Sequence, residues 1–374
     1  MDKYTEMFQY IGTYLNTVEE VQPPPLHCQL GETWWSAVNK EWKSMVAETD
    51  SSEEFQEKAA EVLECFQLGF ECIQEAAFLC PANTSVKDTL ATIQAKPQSV
   101  QRTEEWYKEV RNTLTASEFY QLFSSARARG MLVLSKVKQE RDYIPPRLSC
   151  LTMEMTPLDW GIRFEPVAKL ILEKQWSVKI AELGRLHHPT MKGLAASPDG
   201  IIVEPETSPL YGNLVEIKCP SSRIIGKGVP KDYWYQMQLQ LEVTEMPVCQ
   251  YTEFHFKSYT AQKQEFDLSG SFVEKGILCV VQSEELQKVE YRYGPLGDMD
   301  WTPALEEGWE LLERVPWGLE KVWIQPVLRD EAWFQSMLPL IYDFWQDVEK
   351  ANQGQFTCPE STVKRKAAVC AIVD

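Results

Sequence analysis

The chain has 374 residues, 44% of them hydrophobic and 25% charged, which excludes a disordered or low-complexity polypeptide and allows two domains or one domain with a large extension. A formal net charge of −18, with a pI near 4.8, argues against a basic nucleic-acid-coating surface but leaves room for a local basic groove. No apolar run reaches the length of a membrane span and MDKYTEMFQY lacks a signal-peptide core, so an intracellular protein with no membrane contact is expected.

In chain order, residues 1–95 read as a helical, acidic accessory region. Residues 1–100 hold 6 Lys and Arg against 16 Asp and Glu. After the break at QPPPLH, the stretch EEFQEKAAEVLECFQLGFECIQEAAFL places apolar residues at helical spacing. Linker chemistry in PANTSVKDTL and AKPQSVQ places a domain boundary near residue 95.

From Trp106 the pattern becomes helix, turn, helix, with Thr115 to Glu118 as a capped helix start. FEPVAKLILEKQ reads as a helix with Pro166 in its first turn. Strands follow at IIVEP, NLVEIKC, VCQYTEFHF and GILCVVQ, and DYWYQMQLQLEVT reads as a helix between the second and third. AWFQSMLPLIYDFWQDVEK is a long closing helix, and residues 351–374 read as a flexible tail whose VKRK is a solvated charge run.

Ten scattered cysteines without a C-x-x-C fit reduced thiols, and with four histidines any metal is expected on carboxylates, as Mg²⁺ or Mn²⁺ rather than zinc. Two short motifs carry oxygen ligands. On a strand, Glu216 and Lys218 project from one face and Val215 and Ile217 from the other. Alone, that pair reads as a cross-strand ion pair on a half-exposed sheet. Asp199, between Pro198 and Gly200, reads alone as turn chemistry. Together, two carboxylates at one sheet edge can hold Mg²⁺ and leave water positions open, while the ammonium orients a nucleophile or neutralises phosphate charge.

Pro198-Asp199 followed by Glu216-Ile217-Lys218 resembles the PD-(D/E)xK nuclease signature. S-P-D-G followed by L-V-E-I-K-C-P resembles, more narrowly, the lambda exonuclease/YqaJ-type viral recombinase family. The resemblance covers residues 105–350 and implies an α/β (α+β) fold, with a restriction-endonuclease-like mixed β-sheet flanked by helices, over residues 100–350. It leaves residues 1–95 as a helical N-terminal extension. It implies Asp199, Glu216 and the Ile217 carbonyl as metal ligands, Glu165 of GIRFEPVA on a second metal or its water, Lys218 on the nucleophile and Gln236 orienting it. Gln240, one turn further on, shares the Gln236 face, and Gln238 points elsewhere. VRNTLTASE resembles the family's N-terminal element, which implies Arg111 and Ser117 at a 5′-phosphate. The family's glycine is missing there, the Arg-to-Ser spacing is one residue short, and Thr115 is an alternative hydroxyl.

The activity so implied is Mg²⁺-dependent hydrolysis of DNA phosphodiesters, as a 5′-to-3′ exonuclease on linear duplex DNA in viral or phage recombination, with Mn²⁺ as a substitute ion. A single-strand annealing protein is the implied partner, and both a homo-trimeric ring and a monomer stay open. The rival expectations are attack on RNA or endonucleolytic cutting, and a binding module with a decayed site. Retention of Glu165, Asp199, Glu216, Lys218 and Gln236 counts against decay.

Overall fold

The computed structural model describes residues 84–137, 150–259, 270–283 and 288–360, together with Ala60 and Glu285. Most of the expected acidic region, including its long amphipathic stretch, lies outside the described residues, as does VKRK. Helix α1 (Thr84–Ala95) ends at the expected boundary, yet its Leu90 and Ile93 are buried in a core shared with residues well beyond that boundary. It presses on the turn that precedes Asn213. Gly212, at φ 79°, lies where an added Cβ would meet Val86 Cγ1 at 2.3 Å, so only glycine fits there.

A short helix, α2 (Glu104–Glu109), capped by Thr103, leads through a 3₁₀ turn (Val110–Asn112) to strand β1 (Leu114–Thr115). A second 3₁₀ segment (Ala116–Phe123) then precedes helix α3 (Ala126–Ser135). Helix α4 (Pro157–Trp176) starts nine residues before Pro166, whose position was expected to be its first turn. The reason lies in the sequence: Pro157 occupies the first turn, and Thr156 with Asp159 forms a reciprocal capping box. Pro166 stands inside the helix.

Short strands β2 (Lys179–Ala181), β3 (Leu186–His187) and β4 (Leu194–Ala196) precede β5 (Gly200–Glu204) and β6 (Leu214–Lys218). Helix α5 (Lys231–Thr244) crosses over to β7 (Val248–Ser258), followed by β8 (Glu274–Ser283), β9 (Lys288–Tyr293), β10 (Trp309–Leu328) and helix α6 (Glu331–Asn352). The main sheet has the order β2-β5-β6-β7-β10-β8-β9, and a small sheet has the order β1-β4-β3. Among the described strands of the main sheet only β6 and β7 pair in parallel, as their helical crossover requires.

The fold is therefore mixed α/β, with mixed sheets flanked by helices. One face of the main sheet packs on α4 through Phe164, Val167 and Ile171 against Val215, Ile217 and Phe256. The other packs on α5, α6 and the small sheet through Met237, Leu241 and Phe344. β6 is consequently buried on both faces rather than half-exposed, because each face is covered by a helix. The long strand β10 was not foreseen. Pro316, Pro326 and a row of charges break its alternation, and Pro326 is tolerated beyond Leu319, where pairing with β8 has ended.

The tail expected from residue 351 begins within α6, and Phe356 and Cys358 come back onto the domain. An added Cβ on Gly130 of α3 would lie 2.8 Å from the Cys358 sulfur. Residues 361–374 lie outside the described residues. The described cysteines are free thiols, with Cys219, Cys249 and Cys279 buried.

Candidate active site

The S-P-D-G turn sets Asp199 at the head of β5. Trp106 Nε1 donates to Ser197 Oγ at 3.0 Å, and Gln101 Nε2 donates to the carbonyls of Leu183 at 2.9 Å and Pro198 at 3.2 Å. Gly200 is required because a Cβ there would sit 2.4 Å from Ile180 Cγ2 on β2. Asp199 then reaches across to the next strand, where its Oδ2 accepts the Ile217 N–H at 2.7 Å.

Glu216 is fully buried between β6 and α5. One carboxylate oxygen accepts from the Lys218 ammonium and from Gln236 Nε2 at 2.7 Å; the other accepts from Gln240 Nε2 at 2.6 Å. Thr252 Oγ1 donates to the Glu216 carbonyl at 3.0 Å and fixes the strand from the β7 side. Gln236 and Gln240 stand one helical turn apart on α5, as their spacing requires. Gln238 faces away and bonds Leu328 and Asp330 at the junction of β10 and α6.

The electrostatics follow from this crowding. Burial pushes the Asp199 carboxyl well above its ordinary range, and the charges of Glu216 and Glu165 push it further, against Lys218 and the Ile217 N–H. Burial pulls the Lys218 ammonium down, but Glu216 and Asp199 outweigh it and raise the group above the ordinary lysine value. Lys218 is thus a fixed cation that donates and does not take up a proton. Its Nζ lies 4.7 Å from the Tyr233 ring centroid, and its side chain keeps 20% exposure.

Glu165, on α4, faces the same cleft, a space of about 600 Å³ shared by Lys218, Ile217, Tyr233, Arg223 and Trp106. Arg102 Nη2 meets Glu165 Oε2 at 2.6 Å. Five of the residues singled out in the sequence, Glu165, Asp199, Glu216, Lys218 and Gln236, therefore gather at the end of β6. Arg111 and Ser117 are not among the residues lining the cleft. Arg111 lies in the 3₁₀ turn, and Ser117 is exposed with its Oγ 3.3 Å from Thr115 Oγ1. Thr115 is buried and bonds Glu118, which in turn holds the buried Lys136 ammonium at 2.7 Å. A larger groove of about 1070 Å³ beside Trp234, Gln325 and Arg329 contains none of the carboxylate-site residues.

Four cleft residues escaped the sequence reading. Tyr233 had a signal, since it precedes Gln236 by three and Gln240 by seven on one helical face. Arg223 had none: its guanidinium pairs with Glu253, a fully buried residue of β7 that only the parallel register brings opposite Lys218. Arg102 and Trp106 arrive from another part of the chain.

Among the described residues no group of three or more His, Cys, Asp and Glu side chains is disposed to hold a metal ion. The donor types nonetheless fit a hard cation. Glu165, Asp199 and Glu216 are carboxylates, the donors a hard cation takes, and the Asp199 carboxyl is raised chiefly by burial, with the charges of Glu216 and Glu165 adding to it. Glu216 is tied to nitrogen donors and Glu165 to Arg102.

Residues 105–247 match the model of the YqaJ-like viral recombinase domain. An uncharacterized protein of Acanthamoeba polyphaga mimivirus is 26% identical over 304 residues, 69% of this chain. The chain spans about half the length of that curated relative, 54%. The crystal structure of the alkaline exonuclease LHK-Exo from Laribacter hongkongensis is similar with a TM-score of 0.40 and 19% identity, over 67% of this chain and 95% of that one. Its complex with dAMP matches to the same extent.

Proposed function

We propose that the protein, whose residues 105–247 match the model of the YqaJ-like viral recombinase domain, is a Mg²⁺-dependent deoxyribonuclease, a 5′-to-3′ exonuclease on linear duplex DNA that serves viral or phage recombination. The observation that carries this reading is the convergence of Lys218, Gln236 and Gln240 on the buried Glu216, beside Asp199, with Lys218 and Ile217 lining one cleft. Mn²⁺ is the natural substitute for the same oxygen donors.

Asp199, Glu216 and the Ile217 carbonyl would hold the ion, with Glu165 on a second ion or its water. An ion held there would supply Lewis acidity and a more acidic bound water. The chain's own residues do the rest. Lys218, kept charged by Glu216 and Asp199, donates to the attacking water or to the phosphate oxygen on which charge develops. Gln236 turns its amide between Glu216 and that water, and Gln240 keeps Glu216 from rotating. Tyr233 closes one wall of the cleft beneath the Lys218 and Arg223 cations.

The test compares wild type with Lys218→Ala on linear duplex DNA carrying 5′-phosphate or 5′-hydroxyl ends, in Mg²⁺ and after chelation. Wild type shortens the duplex from its 5′ ends in Mg²⁺ alone, and Lys218→Ala leaves it intact. Equal degradation by both proteins, or degradation after chelation, rejects the mechanism. Faster loss of matched RNA replaces the substrate. Indifference to the 5′-phosphate rejects the 5′-phosphate role implied for Arg111 and Ser117, which do not line the cleft.

A further inference from the structure

Arg102 stands in a backbone conformation that suits a different residue. Its φ is 65°, in a turn closed by the Thr103 N–H donating to the Val100 carbonyl at 3.3 Å. Glycine is the residue favoured at such a position. Among the described residues, the other non-glycine positions with positive φ are Ser177 and Glu245, which cap the C-terminal ends of α4 and α5. Arg102 ends no helix. Its turn is nonetheless fastened tightly. Thr103 Oγ1 donates to the Val100 carbonyl at 2.7 Å, and the Gln101 amide grips the Leu183 and Pro198 carbonyls beside Asp199. Strain of this kind, held in place by its surroundings, is a mark of functional positions.

The cleft holds three side-chain cations, each on its own glutamate: Lys218 on Glu216, Arg223 on Glu253 and Arg102 on Glu165. Glu216 and Glu253 are fully buried. Glu165 keeps 27% exposure and Arg102 37%, so this is the pair with room to part. Glu165 also belongs to the carboxylate set to which a metal ion would be drawn. Once its partner turns to another cation, the guanidinium is left in the space a phosphodiester must enter, and its planar fork of donors matches phosphate oxygens.

We propose that Arg102 is a phosphate-contacting residue that neutralises Glu165 in the free protein and transfers its guanidinium to a phosphodiester oxygen of the bound strand. The proposal rests on the nuclease reading and adds a residue to it.

The experiment measures equilibrium binding of linear duplex DNA over a salt series at fixed low Mg²⁺. The parent is the Lys218→Ala protein, in which the duplex stays intact, and it is compared with the same protein carrying Arg102→Met or Arg102→Gly. Loss of one phosphate contact reduces the slope of log affinity against log salt by about 0.9. Both double variants are expected to show that reduction and roughly tenfold weaker binding at low salt. Arg102→Gly, which relieves the turn, is expected to melt no lower than the parent. An unchanged slope and affinity in both variants overturns the proposal and leaves Arg102 as an ion pair that fixes α4. Weaker binding accompanied by a lower melting temperature in both variants does the same. A parent that fails to bind duplex DNA rejects the nuclease reading and this inference together.

Discussion

Lys218 meets a carboxylate that has other partners, and this sets what its loss does. In Lys218→Met, Glu216 keeps the Gln236 and Gln240 amides, so the carboxylate is not orphaned. Stability is expected to fall by about 1–3 kcal/mol, less than the ~3–5 kcal/mol of a buried pair broken without substitutes. DNA hydrolysis, by contrast, is expected to fall about 10²–10³-fold, the usual cost of one donor at a developing charge. Urea unfolding and single-turnover cleavage on the same preparation check both figures. Mutual repulsion among Glu165, Asp199 and Glu216 gives a second expectation at this scale. Millimolar Mg²⁺ raises the melting temperature of wild type through binding to the folded state, and Asp199→Asn loses most of that rise. Gly200 gives a third. Gly200→Ala drives a methyl into Ile180 and is expected to cost about 1–3 kcal/mol, read as a drop in the urea midpoint.

The elements meet through a few polar ties, and one of them titrates. Glu242 of α5 accepts from Arg329, which follows β10, at 3.0 Å. His188 Nε2 lies 3.6 Å from its other oxygen. The His188 Nδ1 accepts from the Thr190 and Met191 N–H groups, which leaves the ring proton on Nε2, facing Glu242. Burial alone raises the Glu242 carboxyl, but His188 and Arg329 outweigh it and hold the group below its ordinary value. A folded-state pKa below the unfolded one contributes stability that is present above the unfolded value and lost as pH falls through the folded one. Glu242→Gln is therefore expected to be less stable than wild type near neutrality. The gap narrows as pH drops below the ordinary glutamate value of about 4.3, and urea midpoints across that range measure it. The shared face of Gln236 and Gln240 on α5 was legible from spacing, because helical periodicity holds whatever surrounds it. Strand β10 was not legible. Prolines and charges that forbid a central strand are tolerated there because its two halves pair with different neighbours.

At the scale of the molecule, the unit that carries the site reaches back to α1. Leu90 and Ile93 are buried with Leu114, Phe119 and Met246 in one core, and Val86 rests on the turn at Gly212 that leads into β6. Leu90→Ala and Ile93→Ala are each expected to cost about 2–5 kcal/mol, seen as lower urea midpoints of the whole protein. A helix belonging only to a separate accessory region would leave those midpoints in place. The cleft gathers Arg102, Lys218 and Arg223, each paired with a glutamate and with Asp199 beside them, so these paired groups rather than the total of −18 set the local balance.

The sequence by itself determined which side chains on β6 share a face. Alternation on a strand obliges Glu216 and Lys218 to share a face, and the Pro198-Asp199-Gly200 turn ahead of the apolar IIVEP placed Asp199 where a strand begins. It also determined which face of α5 carries Gln236 and Gln240, because helical spacing is a local property. Tertiary structure decided the rest. Both faces of β6 are covered, which turns a half-exposed pair into a buried charge cluster held by two amides. Arg102 and Trp106 enter the cleft from a turn and the helix α2 that follows it, far away in the chain, while Arg111 and Ser117, nearer by motif, do not line it. Local periodicity fixes directions along one element, whereas partners across a cleft depend on long-range packing that no single stretch encodes.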